Sequence, residues 1–278
     1  MNYYQKTCEL LDVNLRSVLP LILFFSTLND ICSQIDDRSD MLTINNVELF
    51  FQKTGEGPPL LLLHGWTQSS AFWKELIPIY AKQFTVYALD LHGHGRSSNL
   101  NSDFTIKKTA QDVKTFMDEL GIQKANAIGM SFGGLVLLEL SVMYPEQLKS
   151  MVVIGSTHDF DGSKNNESKS FSYDDLPNSF IADLKRMHPR GEDQIRHLFD
   201  PNIEYKIQLT PQEVKNIEIR TLIVNGDRDE ILGVQSAFDL YEYLPLAQLW
   251  IMPNTGHVAV TDDNRHAFIS ATLKFFEE

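Results

Sequence analysis

The stretch ANAIGMSFGGLVLLEL, residues 125–140, carries the pattern that decides the fold. Its first six residues form a short apolar run that predicts a buried strand, and the residues from Phe132 onward predict a helix that ends before Pro145. Ser131 lies between these two elements, in the pattern G-x-S-x-G. A serine on a sharp turn between a strand and a helix is held clear of the sheet by strained backbone angles. The stretch therefore predicts an exposed serine nucleophile at the end of a strand.

The same glycine-rich turn has a plainer interpretation, in which Ser131 only caps a helix. Short G-x-S-x-G matches arise by chance, so the motif alone does not decide between the two. The strand before it and the helix after it are the context that a nucleophile of this kind requires. They therefore favour a catalytic function for Ser131. The helix that starts at Phe132 also directs amide donors at developing negative charge.

The rest of the chain predicts an α/β domain. Residues 41–53 predict a hairpin, because Asn45 and Asn46 tolerate the positive φ of a tight turn. Further strands are predicted at residues 59–64, 84–91, 125–130, 151–155, 221–225 and 248–252, and helices at residues 70–82, 105–120, 132–144 and 263–276. Strands that alternate with helices form a mostly parallel sheet covered on both faces. Ligands bind such sheets at the carboxyl ends of the strands, where we expect every motif below to lie.

Residues 157–216, called the insertion below, interrupt this alternation. They follow one predicted strand and precede the next, and they contain amphipathic pieces but no strand signal of their own. An insertion of this length in a compact domain is usually functional. We therefore expect the insertion to have a role in function.

The base that would activate the serine has to be chosen among eight histidines. A serine hydroxyl is a weak nucleophile until a base accepts its proton. Around this motif the order along the chain is serine, acid, histidine, which selects His257, between the last strand and the last helix. The other histidines precede the serine (residues 64, 92 and 94), lie in the insertion (158, 188 and 197) or lie inside the last helix (266). The alternative for His257 is a solvated loop residue without catalytic function.

The acid that orients the histidine is expected after the strand at residues 221–225, in the sequence GDRDE. We predict Asp229, because its spacing from the glycine clears the turn and directs the carboxylate into the cleft. Asp227 is expected to bind backbone amides of the turn instead. Glu230 and, after the preceding strand, Asp159 remain weaker alternatives.

Two backbone amides are expected to hold the negatively charged oxygen of the reaction intermediate, in what is called the oxyanion hole. One is the amide of Phe132 at the helix start, and the other comes from an early loop after a strand. That loop is HGWTQ, residues 64–68, so the second donor is predicted to be the amide of Trp66. Gly65 allows close approach of the backbone, and His64 is expected to be a structural hydrogen-bonding residue.

Several motifs together resemble the α/β-hydrolase superfamily. They are HGW at residues 64–66, DLHGHGRS at residues 90–97, the turn at Ser131, and the predicted acid and base, Asp229 and His257. The similarity runs from about residue 41 to the C-terminus and is strongest to small bacterial carboxylesterases with an HGW loop, including carrier-protein methyl ester esterases. It implies an eight-stranded, mostly parallel sheet with helices on both faces, and it implies that the insertion is a helical cap that selects substrates.

The resemblance also implies a reaction. A serine hydrolase of this type cleaves a carboxylic ester or related acyl compound through an acyl-enzyme, and it needs no metal or organic cofactor. Serine at position 131 argues against haloalkane dehalogenases and epoxide hydrolases of this fold, which use aspartate as the nucleophile. C–C bond hydrolases, perhydrolases, acyltransferases and non-catalytic ligand-binding proteins remain alternatives, since a fold does not determine a reaction.

Composition restricts the partners. The formal net charge is −13, and no run of Lys and Arg is present, so a nucleic-acid partner is not expected. We expect a small ester-like molecule as the partner. Cys8 and Cys32 are the only cysteines, which excludes a disulfide framework and a Cys-x-x-Cys metal site.

Residues 1–40 are interpreted as a leader or anchor segment that precedes a single domain at residues 41–278. Their apolar run, VLPLILFFSTL at residues 18–28, is shorter than the roughly 20 residues of a spanning helix and fits the core of a signal peptide. This pattern favours export or N-terminal anchoring, with membrane contact only through this segment. The alternatives are an amphipathic accessory helix or a mis-assigned start, in a cytoplasmic protein.

Overall fold

The computed structural model describes residues 38–161, 173–260 and 263–278. The first two strands are β1 (Arg38–Ile44) and β2 (Val47–Thr54), which pair antiparallel. The turn between them is formed by Asn45 and Asn46, whose φ angles are 51° and 66°. Asparagine tolerates this left-handed conformation, so the predicted hairpin is confirmed. It starts three residues before the expected position.

The remaining elements follow in the predicted alternation. They are β3 (Pro59–Leu63), α1 (Ile77–Tyr80), β4 (Thr85–Leu89), α2 (Ile106–Glu119), β5 (Ala125–Met130), α3 (Phe132–Met143), β6 (Leu148–Ile154), β7 (Asp159–Asp161), α4 (Asn178–Met187), α5 (Glu192–Leu198), β8 (Lys206–Gln208), α6 (Pro211–Lys215), β9 (Arg220–Gly226), α7 (Gln235–Tyr243), β10 (Ala247–Met252) and α8 (Arg265–Glu277).

Eight strands form the main sheet, in the order β1-β2-β4-β3-β5-β6-β9-β10. The neighbours in the series β4-β3-β5-β6-β9-β10 pair in parallel. Strands β1 and β2 form an antiparallel edge of the sheet, where β2 also pairs antiparallel with β4. Strand β3 shows why the apolar runs are continuous. Leu61 and Leu63 lie in the hydrophobic core that contains α2 and α3, whereas Leu60 and Leu62 lie in the core that contains α1 and α8. Helices therefore cover both faces, and the predicted fold class is confirmed.

The helix predicted at residues 70–82 is wrong in detail. The segment contains a 3-10 turn (Ser70–Trp73) followed by the short helix α1. Pro78 explains the break, because a proline ring has no amide to donate and clashes with the preceding turn of a continuous helix. Helix α7 was not predicted.

The expectation that the insertion has no strand is also wrong. Strands β7 and β8 pair antiparallel in a separate two-stranded sheet, with Phe160 opposite Ile207. Each strand is three residues long, which is too short to show the two-residue alternation by which strands are recognised. This pair joins the two ends of the insertion, and helices α4 and α5 lie between them in the chain.

The apolar run at residues 18–28 lies outside the described residues, so its role as a leader stays a prediction. Among residues 38–161, 173–260 and 263–278, none of the helices has the length and hydrophobicity that a membrane span requires.

The packing of α2 on the sheet gives a stability prediction. Phe116 is fully buried and contacts Phe51 and Tyr87 edge to face, with ring centroids 5.0 and 6.1 Å apart. Phe116→Ala should lower the free energy of unfolding by about 3–5 kcal/mol, because it removes a buried ring and leaves a cavity. Urea denaturation measures this change. The control is Phe238→Ala at a side chain that is 45% exposed, where a comparable loss would contradict the assignment of the core.

Candidate active site

Ser131 lies between β5 and α3 in an unusual backbone conformation. Its φ and ψ angles are 49° and −111°, in a region that residues with a side chain rarely adopt. The Ser131 amide donates a hydrogen bond of 2.7 Å to the Ile154 carbonyl of the neighbouring strand β6. This bond and the start of α3 hold the serine on the sharp turn that the sequence predicted.

The glycines of the motif are required by close packing. A Cβ atom at Gly129 would lie 2.5 Å from the carbonyl carbon of Gly133. A Cβ atom at Gly133 would lie 2.2 Å from the carbonyl oxygen of Leu63 in β3. Neither contact is sterically possible, so helix α3 can approach the sheet only with glycine at both positions.

The structure brings Ser131, His257 and Asp229 together. The Nε2 atom of His257 lies 2.9 Å from Ser131 Oγ, and its Nδ1 atom lies 2.9 and 3.0 Å from the two carboxylate oxygens of Asp229. Both His257 and Asp229 are buried. With a proton on Nδ1 that is donated to the carboxylate, Nε2 is free to accept the serine proton, which is the arrangement of a catalytic triad.

The carboxylate of Asp229 is fixed by its own loop. Oδ1 accepts hydrogen bonds of 2.9 Å from the amides of both Ile231 and Leu232. Burial on its own would raise the pKa of Asp229, but the hydrogen bond from His257 and these two amides outweigh it and lower the pKa below its usual value. Asp229 is therefore ionised at neutral pH and positioned to stabilise a positively charged imidazole.

The other candidate acids have different positions. Asp227 accepts a hydrogen bond of 3.1 Å from the Thr255 amide, so it binds loop backbone as expected. Glu230 accepts a hydrogen bond of 3.0 Å from the backbone amide of His257, a contact that positions the loop and that the sequence did not reveal. Asp159 lies in β7 with an exposed side chain.

The predicted oxyanion donors lie on two segments that meet at the serine. Phe132 is the first residue of α3, and Ser131 provides no side-chain cap for the helix. The next amide, that of Gly133, donates a hydrogen bond of 3.0 Å to the His64 carbonyl and so joins the start of α3 to the loop that carries Trp66. Trp66 is the second residue of a turn at residues 65–68, closed by a 3.1 Å hydrogen bond from the Gln68 amide to the Gly65 carbonyl. A Cβ atom built on Gly65 would lie 3.5 Å from the Ser131 Cβ, so turn 65–68 lies beside the serine.

A cavity of about 650 Å³ opens onto Ser131 and His257. Its wall is mostly apolar and includes Leu135 and, from the insertion, Phe180. The side chain of Phe132 does not line it, because its ring is fully buried. Among the described residues, the wall is formed by Gly65, Trp66, Thr67, Gln68, Ala71, Phe72, Lys74, Met130, Ser131, Leu135, Phe160, Phe180, Met187, Tyr205, Ile231, Leu232, His257 and Val258.

Tyr205 is a residue of the site that sequence reasoning missed. Its ring stacks on that of Trp66, with centroids 4.4 Å apart, and lines the cavity. Burial raises the pKa of Tyr205, and an interaction with the Ser131 hydroxyl acts in the opposite direction. The phenol therefore stays protonated beside the serine. No local pattern marks this tyrosine, because its segment of the insertion has no periodicity.

The buried histidines near the site are uncharged. Burial lowers the pKa of His64 to about 4, and its Nε2 atom accepts a 3.0 Å hydrogen bond from the Leu91 amide. Its Nδ1 atom, which then carries the proton, donates to the Gly65 carbonyl at 2.8 Å. His64 therefore supports turn 65–68, as the sequence predicted. No group of three or more His, Cys, Asp and Glu side chains in the described parts of the chain is arranged to hold a metal ion.

Comparison with known proteins agrees with this geometry. Residues 58–190 match a family model described as the alpha/beta hydrolase fold. The chain has the alpha/beta hydrolase fold. The hydrolase is similar to a structurally characterised hydrolase from Pseudomonas aeruginosa, with a TM-score of 0.75 at 18% identity over 87% of this chain and 99% of that one.

Two relatives differ in the reaction that their names give. The hydrolase is 28% identical to a carboxylesterase of Bacillus subtilis over 227 residues. This alignment covers 73% of this chain and 75% of the relative. It is 22% identical to the 2-hydroxy-6-oxo-6-(2'-aminophenyl)hexa-2,4-dienoic acid hydrolase of Metapseudomonas resinovorans over 273 residues. This alignment covers 87% of this chain and 94% of the relative. The family thus includes both reactions, and similarity by itself does not choose between them.

Asp229 and Asp227 should differ in their effect on activity. Asp229→Asn should lower kcat by about 10³–10⁴-fold, because an amide in place of the carboxylate selects the wrong tautomer of His257. Asp227→Asn should lower kcat by less than about tenfold, because Asp227 binds only the neighbouring loop. Steady-state kinetics with an ester substrate measures both variants. A larger loss in Asp227→Asn than in Asp229→Asn would reverse the assignment.

Proposed function

We propose that this hydrolase cleaves carboxylic esters through an acyl-enzyme on Ser131, with His257 as the general base and Asp229 as the residue that orients it. The observation that carries the proposal is the continuous chain of contacts from Ser131 Oγ to His257 Nε2 at 2.9 Å and from His257 Nδ1 to Asp229 at 2.9 Å. This chain activates a serine hydroxyl, which is unreactive without a base.

The first half of the proposed reaction forms the acyl-enzyme. Ser131 Oγ attacks the ester carbonyl carbon while its proton moves to His257 Nε2, and the ionised carboxylate of Asp229 stabilises the imidazolium. The amides of Trp66 and Phe132 hold the oxyanion, and one such donor typically lowers the barrier by about 2.7–4 kcal/mol. His257 then returns the proton to the leaving alcohol as the C–O bond breaks.

The second half releases the acid. A water molecule takes the position of the alcohol, loses a proton to His257 Nε2 and attacks the acyl carbon. Collapse of the second tetrahedral intermediate returns the proton to Ser131 Oγ and leaves a carboxylic acid. The same acyl-enzyme would give a perhydrolase or an acyltransferase if peroxide or another alcohol replaced water.

The cavity supports an uncharged ester with an apolar acyl group as the substrate. Its volume of about 650 Å³ suits a small organic molecule, and its wall is mostly apolar. Exposed apolar side chains, Phe180, Ile231 and Val258, line the cavity as well. The net charge of −13 disfavours strongly anionic substrates.

Hydrolysis of a C–C bond is the second candidate, because a relative of similar length is named for a dienoic acid substrate. A negatively charged acid substrate is bound best by a site that provides a cationic side chain. Lys74 is the one permanently cationic side chain on the described cavity wall; it is exposed and lies 3.8 Å from the Glu75 carboxylate. The rest of the cavity wall is mostly apolar, which favours an uncharged ester over an acid as the substrate.

Replacement of the serine tests the proposal. Ser131→Ala should lower the rate of hydrolysis of p-nitrophenyl butyrate by at least about 10³-fold, because the other triad members have no nucleophile to activate. A fluorophosphonate probe should label the unaltered protein and not the variant. Ser141→Ala is the control, since Ser141 is a buried serine of α3 that only donates to the Leu138 carbonyl. An unchanged rate in Ser131→Ala would end the assignment, and an unlabelled wild-type protein would favour a non-catalytic binding function.

A product analysis separates the two candidate reactions. The purified protein should hydrolyse p-nitrophenyl butyrate with a higher kcat/KM than a 2-hydroxy-6-oxo-hexadienoic acid, because the described cavity wall offers an apolar surface and one exposed cation. Mass spectrometry of the products identifies the bond that is broken. Faster cleavage of the dienoic acid at its C–C bond, in a reaction that requires Ser131, would instead favour the second candidate.

A further inference from the structure

The insertion contacts turn 65–68 at two consecutive residues. The indole Nε1–H of Trp66 donates a hydrogen bond of 3.1 Å to the Leu198 carbonyl at the end of α5, and the Trp66 ring stacks on Tyr205. The carbonyl of the next residue, Thr67, accepts a hydrogen bond of 3.0 Å from His188. The segment that carries one predicted oxyanion donor is therefore bound to a part of the chain more than a hundred residues away.

His188 is the centre of this contact. It follows α4 directly and its side chain is fully buried. Its Nδ1 atom accepts a hydrogen bond of 2.9 Å from the Gly95 amide, so the ring proton lies on Nε2, which donates to the Thr67 carbonyl. Burial lowers the pKa of His188 and keeps the ring neutral, which this pair of bonds requires. Both nitrogens of the buried ring therefore have a partner.

Thr67 needs such support because its backbone is strained. Its φ angle is 62°, and a β-branched residue in this left-handed region is uncommon and strained. Thr67 lies in the same four-residue turn as Trp66, so its conformation affects the path of turn 65–68. The bond from His188 to the Thr67 carbonyl holds the strained peptide in this orientation.

We propose that His188 is a positioning residue that holds Thr67, and through it the Trp66 amide, in the geometry that binds the oxyanion. The inference rests on the proposed function, since it concerns the same reaction. The oxyanion is absent from the bound ester and develops in the transition state that leads to the tetrahedral intermediate, so loss of this support should lower kcat and leave KM nearly unchanged. The insertion then has two roles, because it forms part of the cavity and also completes the catalytic geometry.

Gln194 offers a matched control in the same insertion. It is fully buried, and its side-chain amide donates to the carbonyls of Gly93, Gly95 and Ser97 at 3.2, 3.0 and 3.2 Å. These bonds join the insertion to residues 93–97 and do not involve turn 65–68. Replacement of Gln194 therefore removes a comparable number of buried hydrogen bonds without a direct effect on Thr67.

The experiment compares His188→Leu, His188→Gln and Gln194→Met in ester hydrolysis, with thermal denaturation of each variant. His188→Leu should lower kcat by about 10–100-fold, since a small displacement of a catalytic group has an effect of this size, with KM within about threefold. Its affinity for a trifluoromethyl ketone transition-state analogue should fall in proportion to kcat/KM. His188→Gln should restore most of kcat, because glutamine provides both a donor and an acceptor. Gln194→Met should lower Tm but keep kcat within about threefold.

The outcomes separate this inference from the proposed function. An unchanged kcat in His188→Leu, or an equal loss of kcat in Gln194→Met, would overturn the positioning role while Ser131 still reacts with a fluorophosphonate. Failure of Ser131 to react in the wild-type protein would overturn the proposed function itself. If His188→Leu does not fold, His188→Asn provides the second test. Asparagine can accept from the Gly95 amide in place of Nδ1 but is too short to donate to the Thr67 carbonyl, so it should also lower kcat with little change in KM, and an unchanged kcat there would overturn the positioning role.

Discussion

The backbone of Ser131 is the constraint on which the rest of the site depends. A serine with a φ angle of 49° is strained, and it keeps this conformation because strand β5 ends and helix α3 begins on either side of it. The helix approaches so closely that a Cβ atom at Gly129 or Gly133 would overlap with backbone atoms. The sheet therefore stabilises a conformation that the isolated segment would not hold, and the strain directs the hydroxyl towards His257.

Two buried histidines near this turn are neutral and fully hydrogen-bonded. His64 and His188 are buried, neutral and bound to backbone amides and carbonyls on both ring nitrogens. Asp229 is ionised beside the imidazole, and its carboxylate accepts hydrogen bonds from two loop amides and from His257. An isolated charge in such an environment would be strongly unfavourable. The site therefore concentrates one negative charge where a positive imidazole would form.

The insertion connects substrate binding to this geometry. It forms one side of the cavity with Phe160, Phe180 and Tyr205, and the same segment binds Trp66 and Thr67. In a family whose members differ in reaction, this region is where differences in substrate are expected to arise, because the sheet and its loops provide the common chemistry. In the proposed reaction, a change in the insertion would alter both the fit of the acyl group and the position of the turn.

The sequence by itself determined the sheet, the strand–serine–helix turn and the order of serine, acid and histidine. These features depend on local signals: continuous apolar runs, glycines at fixed spacing, and loops that follow parallel strands and so meet at one edge of the sheet. Only the tertiary structure showed that Asp229 faces the imidazole while Glu230 binds the His257 backbone, and that Tyr205 and His188 reach the site. Two carboxylates one residue apart carry the same local signal, and their directions depend on how the loop folds against residues that follow β10. The contacts of the insertion are likewise non-local, since its short strands and irregular segments contain no period that predicts where they return to the sheet.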